Sequence, residues 1–171
     1  MTVEELPGNA IYLDRLRLRT QRAADTGPAF LAVATAFHEM ERMKFNAEGA
    51  WPPGSQSWEP LSPNTIAKKM RSGSSNPFQP LVDTGVMQAS LIGSGGGYTL
   101  ISYEFMEVGT AVVDERGRNY PPYHQQGTDN MPQRMIVEIT PPIAELFALI
   151  IMSYLGGGEG YLAIAAEGGG I

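Results

Sequence analysis

The sequence predicts an α+β fold: a small, mostly antiparallel β-sheet packed against N-terminal, central and C-terminal helices, with long ordered loops between them. Three observations lead there. Apolar residues recur at helical spacing early in the chain, a stretch of period-two alternation rich in aromatic and β-branched residues follows, and a nearly continuous apolar segment comes after that. Strands and helices do not alternate in βαβ fashion, which favours helices layered on one small sheet. At 171 residues, 43% hydrophobic and 18% charged, the chain suits one domain. That domain is expected over 1–155, followed by a glycine-rich tail over 156–171.

Tyr12 to Ala24 reads as a helix through Leu13, Leu16 and Thr20, although the alternation Leu16, Arg17, Leu18, Arg19 also fits a short strand. The clearest helix runs from Pro28 to about Phe45. Asp25 or Thr26 is expected to cap it, Pro28 suits a first turn where its missing N–H is no loss, and Phe30, Val33, Phe37 and Met40 recur on one face. Prolines, glycines and serines crowd residues 46–63, which excludes a regular element and leaves an ordered loop pinned by Trp51 and Trp58, or a mobile one. A short helix then starts at Pro63 with Ser62 as its cap and runs to Met70. Residues 71–80 form another loop, and Asp83 or Thr84 caps a turn of helix through Met87 and Leu91.

Three strands are expected: Tyr98–Phe105, Glu107–Val113 and Arg134–Thr140, with the glycine-rich stretch 93–98 as a hairpin-type turn. Pro141 and Pro142 open a last helix, Ile143–Leu155, apolar enough to be deeply buried against the sheet or another subunit. In the tail, the apolar run Tyr161–Ile164 is the expected anchor, ordered by a neighbouring subunit and added as a strand to its sheet edge.

Composition narrows the function classes. The net charge of −6 is uneven: residues 1–72 hold nine Lys/Arg against eight Asp/Glu, and residues 73–171 hold three against ten. An acidic second half is a poor phosphate-gripping surface. Only Arg15, Arg17, Arg19 and Arg22 form a basic cluster, read as a solvated helix face rather than a nucleic-acid contact. The absence of cysteine excludes a disulfide framework and a thiolate metal site. The longest apolar run, Leu146–Leu155, is half of the roughly 20 residues that a membrane-spanning helix needs. The acidic start, MTVEELPGN, lacks the basic and apolar regions of a secretory signal, so folding in a cytoplasm is expected.

The catalytic inventory is thin. His38 and His124 are the only histidines. His38 follows Phe37 on the amphipathic helix and reads as structural or solvent-facing. His124 lies in NYPPYHQQG (119–127), where Tyr123 or Gln125 could position a substrate, but no serine, cysteine or carboxylate motif accompanies it. The glycine-rich stretches lack the Gly-Lys-Ser/Thr ending of a phosphate-binding loop, and no metal-ligand spacing is present. Glu39, Glu41, Asp114 and Glu115 read as solvated charge. No cofactor, no metal and no catalytic set is expected.

Four pieces, in order, carry a family pattern. A helix ends in Met43, Lys44, Phe45; a loop leads into Trp58, Glu59, Pro60, Leu61, Ser62, Pro63, Asn64, Thr65. Then come Leu81, Val82, Asp83, Thr84, Gly85 and, further on, Ser90; finally Val108, Gly109, Thr110, then Tyr120 to Gly127 with His124 and Gln125, and Met131, Pro132, Gln133, Arg134. Over about residues 30–140 this resembles the tailed-bacteriophage virion morphogenesis family, the tail-completion and neck proteins of the phage Mu type.

The resemblance implies a structural protein, not an enzyme, at the head–tail junction of a virion assembled in a bacterial cytoplasm. It implies a homo-oligomeric ring, commonly a hexamer, around the channel through which genomic double-stranded DNA leaves. Other connector proteins and the tail tube protein would be its partners, and an acidic lumen would let DNA slide. Trp58 and Leu61 would anchor the long loop; Thr84 and Gly85 would form a cap and turn; Tyr120, His124, Gln125 and Gly127 would hold the loop ahead of Pro132 by hydrogen bonds within or between subunits. Arg134 would pair with a carboxylate near the sheet; the glycine-rich tail has no counterpart in the pattern, and Tyr161, from the apolar run alone, is expected to fasten it. A minor tail or capsid subunit is the neighbouring alternative, and a small hydrolase using His124 or a DNA-binding module using Arg15–Arg22 are the alternatives from other classes.

Overall fold

The computed structural model describes residues 7–167. It is α+β: among the described residues there are seven helices and one two-stranded antiparallel sheet. In chain order these are α1 (Pro7–Ala24), α2 (Gly27–Asn46), α3 (Pro63–Arg71), α4 (Val86–Leu91), β1 (Gly97–Ile101), β2 (Met106–Thr110), α5 (Pro121–Gln126), α6 (Pro141–Leu155) and α7 (Tyr161–Glu167). No described helix is long and apolar enough to cross a membrane.

Helix α2 is the spine. Its N-terminal half presents Ala32, Val33 and Ala36 to Ile150 of α6 and Ala165 of α7, a small-residue seam that lets three helices approach closely. Its C-terminal half buries Phe37 and Phe45 in the main core with Trp58, Val82, Met87, Leu91, Val112 and Ile136. Full burial of a side chain the size of Phe45 stabilises by roughly 1.5–3 kcal/mol. Thr26 is the N-cap residue but makes no side-chain cap bond: its hydroxyl donates to the Tyr103 carbonyl in the hairpin turn, and the Asp25 carboxylate accepts from Gly27 N–H at 3.1 Å. α3 starts as its sequence indicates, with Ser62 Oγ accepting from Thr65 N–H at 3.2 Å and Pro63 next.

The sheet is smaller than expected. β1 and β2 pair from Gly97↔Thr110 to Ile101↔Met106, and the turn between them is built by Ser102, whose hydroxyl accepts from the N–H groups of Glu104 and Phe105. The glycine-rich stretch 93–98 is therefore not the hairpin turn; its first four residues connect α4 to β1, and Gly97 and Tyr98 open the strand. At Gly97 a Cβ would lie 2.1 Å from the Ser90 carbonyl oxygen, so only glycine lets that strand start against α4.

The third expected strand, 134–140, forms no strand: it is irregular, with a bend at Ile136, and pairs with neither β1 nor β2. Its alternation is real, with Arg134 and Ile136 buried, but side chains rather than a neighbouring strand satisfy its backbone. The tail is also corrected. Tyr161–Ile164 is helical, and α7 packs on α2 and α6 of its own chain, with Ala165 buried and Tyr161 edge-on to Tyr154 at 5.2 Å. Residues 168–171 of the expected tail lie outside the described residues, as do residues 1–6 of the N-terminal stretch.

Candidate functional site

The motif residues spread between positions 58 and 134 meet in one junction at the C-terminal end of α2. Trp58 is buried, stands edge-on to Phe45 at 5.1 Å, and donates its indole N–H to the Met135 carbonyl at 2.9 Å. Arg134, also buried, donates from Nε to the Glu59 carbonyl at 2.8 Å and from Nη2 to the Pro60 carbonyl at 3.3 Å. The expected carboxylate pairing is thus replaced: the guanidinium clamps two main-chain carbonyls of the Trp58 loop. Its planar fork suits such multi-point donation better than a lysine would.

Helix α5, which periodicity alone did not reveal, supplies the other side. Pro121 and Pro122 set its first turn and Gly127 ends it at φ +73°. Its Gln125 acts as a substitute strand edge. Oε1 accepts from the N–H groups of Ile136 and Val137 at 2.8 and 3.1 Å, and Nε2 donates to the Val137 carbonyl at 2.7 Å. Arg134 N–H donates to the His124 carbonyl at 2.8 Å, and a Thr128–Met131 bridge closes the loop ahead of Pro132, which is half-buried. At Gly127 a Cβ would lie 2.9 Å from Gln133 N, which together with its positive φ requires glycine.

The His124 ring lies edge-on to Tyr120, 6.1 Å between centroids, and its Nδ1 is buried without a hydrogen-bond partner. Burial first, and then the positive charge of Arg134, lower its pKa below the usual histidine value. The ring is therefore neutral near pH 7 and packs as a flat, mostly apolar body.

Tyr120 and His124 line a cleft of about 720 Å³ together with Leu61, Thr84 and Gly85. Gly85, at φ +79°, is the N-cap of α4 with no side-chain cap bond, so Thr84 does not cap the helix; it is exposed at the cleft. The cleft carries both signs of charge, from Lys68, Arg116 and Arg118 and from Asp83, Asp114 and Glu115. Arg118, which bonds Asp114 through both side chain and backbone, lowers the pKa of the Asp114 carboxyl. Tyr161, in contrast, stands apart on α7.

Two features escaped sequence reasoning. Lys69 is buried, and its Nζ donates to the carbonyls of Gln79 and Val82 at 2.9 and 2.6 Å, organising the loop after α3; in the sequence it is one of two adjacent lysines with nothing to separate them. Glu41, expected to be solvated, is 3% exposed with Oε2 unpartnered. His38 is structural, with Nδ1 2.7 Å from the Leu91 carbonyl. Among the described residues no three His, Asp or Glu side chains gather as a metal site. No protein-family model, curated protein or solved structure matches the chain.

Proposed function

We propose that this protein is a structural component of the head–tail junction of a tailed bacteriophage, a neck, tail-terminator or tail-completion subunit that forms a ring around the exiting DNA and acts as a structural part rather than an enzyme. The observation that carries the reading is the junction itself. Residues of the family-like motifs, separated by up to 76 positions between Trp58 and Arg134, are used together to bolt the Trp58 loop, α5 and the 134–140 strap into one rigid unit. The chemistry of that unit is main-chain capture by an indole, an amide and a guanidinium, which suits a part that must hold its shape under load.

A second observation agrees with assembly. Large apolar side chains stand exposed on α1, on the hairpin at Tyr98, Leu100, Tyr103 and Phe105, and on α6 at Leu149 and Met152. Exposure on this scale marks surfaces made for protein contact. The acidic second half, net −7 by three basic against ten acidic residues, would repel DNA phosphates from a lumen it lined.

The test is the mass of the purified full chain by light scattering, with images of the particles. A closed oligomer with a central opening, near six copies, is expected. A monomer at every concentration and salt would overturn the reading.

A further inference from the structure

We propose that α1 of one copy docks on the outer stripe of α6 of the next copy, closing the ring by a head-to-tail helix contact; the inference rests on the ring reading above. From Ala10 to Ala24 every side chain except that of Arg22 is exposed. Ile11, Tyr12, Leu13, Leu16 and Leu18 are between 39 and 62% exposed, on a helix of 18 residues that is marginal in water without a partner.

Helical geometry separates these residues into two sides. Leu18 faces its own body, with Cδ2 3.5 Å from where a Cβ on Gly157 would lie. Tyr12, Leu16 and Ala23, at spacings of four and seven, fall on the opposite side with Leu13 and Thr20. That stripe points away from the body. Arg15 and Arg19 border one edge of it and Arg17 the other.

The complementary surface lies on α6. Ile143, Ile150 and Tyr154 are buried, whereas Glu145, Leu149 and Met152, spaced four and three apart, line the opposite, exposed face. Residues 141–167 contain Glu145, Glu159 and Glu167 and no Lys or Arg, while α1 carries four arginines against Asp14. An apolar stripe bordered by arginines thus meets a face that sets Glu145 between Leu149 and Met152.

The contact must be made between copies. Arg22 donates from Nη1 to the carbonyls of Tyr154 and Gly158 at 2.6 and 3.0 Å, its guanidinium lies 5.0 Å from the Tyr154 ring centroid, and Tyr154 donates to the Asp25 carbonyl at 2.7 Å. These bonds fix where α1 leaves the body, at the far end of α6, and Leu149 and Met152 remain 53 and 68% exposed with α1 in place. Pairing of α1 with α1 would set arginine against arginine. Two different patches give a heterologous contact, the type that builds rings.

The chain has no cysteine, so introduced thiols report cleanly. Leu16→Cys and Met152→Cys single variants of the full chain would be co-expressed and treated with a short bis-maleimide. The expected result is a covalent heterodimer, with neither variant linking to itself. An oligomer of unchanged mass without the heterodimer would overturn the contact and leave the ring reading standing; a monomer in all conditions would overturn both. Self-linking of Leu16→Cys would also overturn it. As a second measurement, Arg15→Glu, Arg17→Glu and Arg19→Glu together are expected to weaken assembly at least tenfold with helix content unchanged. Full assembly of that variant, with loss only of salt-sensitive DNA binding, would make α1 a nucleic-acid arm and sink the proposal.

Discussion

The Trp58 indole N–H donates to the Met135 carbonyl at 2.9 Å, across 77 positions of sequence. This one bond joins the loop after α2 to the strap before α6, and the ring also packs on Phe45. Trp58→Phe retains most of the packing but leaves the carbonyl unpaired, an expected loss of about 1–2 kcal/mol. Trp58→Ala also opens a cavity and is expected to cost about 3–5 kcal/mol. Urea denaturation measures both, and no loss in Trp58→Phe would show that the bond contributes nothing.

Gln125 stands in for a strand edge by making three bonds to Ile136 and Val137. Gln125→Leu keeps the size and removes all three, with an expected loss of about 2–4 kcal/mol. Amide hydrogen exchange should quicken at Ile136 and Val137 and stay unchanged in the β1–β2 hairpin. Unchanged protection at those two amides would contradict the role.

Gly127 combines a positive φ with a backbone contact that leaves no room for a Cβ. Gly127→Ala is expected to destabilise by about 1–3 kcal/mol or more, because the conformation is strained and Gln133 N cannot move aside cheaply. A thermal midpoint within a degree of the parent would refute this.

Glu41 makes stability depend on pH. Burial pushes its carboxyl up from the ordinary 4.5 to about 8, while Lys44, itself paired with Glu138 at 3.3 Å, pulls it down. Because the folded pKa is the higher one, the native chain holds an extra proton between these values. The stabilisation is therefore complete below about 4.5 and lost as pH rises towards 8, by a few kcal/mol at most, on the order of 1.4 kcal/mol per unit. Glu41→Gln should flatten that slope between pH 5 and 9 in denaturant titrations. An equal slope in parent and variant would show that Glu41 is solvated.

Much of the candidate site was legible in the chain. Trp58, Tyr120, His124, Gln125, Gly127 and Arg134 were singled out from motif order, and they do converge. Their bonding was not legible, because a side chain that captures a carbonyl leaves no periodic trace. Arg134 shows this: its charge suggested a carboxylate, and the partners are the carbonyls of Glu59 and Pro60.

The sequence by itself determined the elements whose signals are local. Ser62 with Pro63 starts α3, Pro28 opens α2, and Pro141 with Pro142 opens α6, because a cap hydroxyl or a missing N–H acts within one turn. Tertiary structure alone decided what depends on distant partners. Residues 134–140 alternate like a strand, yet Gln125 and Trp58 take the bonds a neighbouring strand would have made; Tyr161–Ile164 could extend or coil, and the seam on α2 made it helical; Glu41 looks solvated until the folded chain around α2 buries it. Local signals choose a backbone conformation, but burial and hydrogen-bond partners are properties of the packed chain.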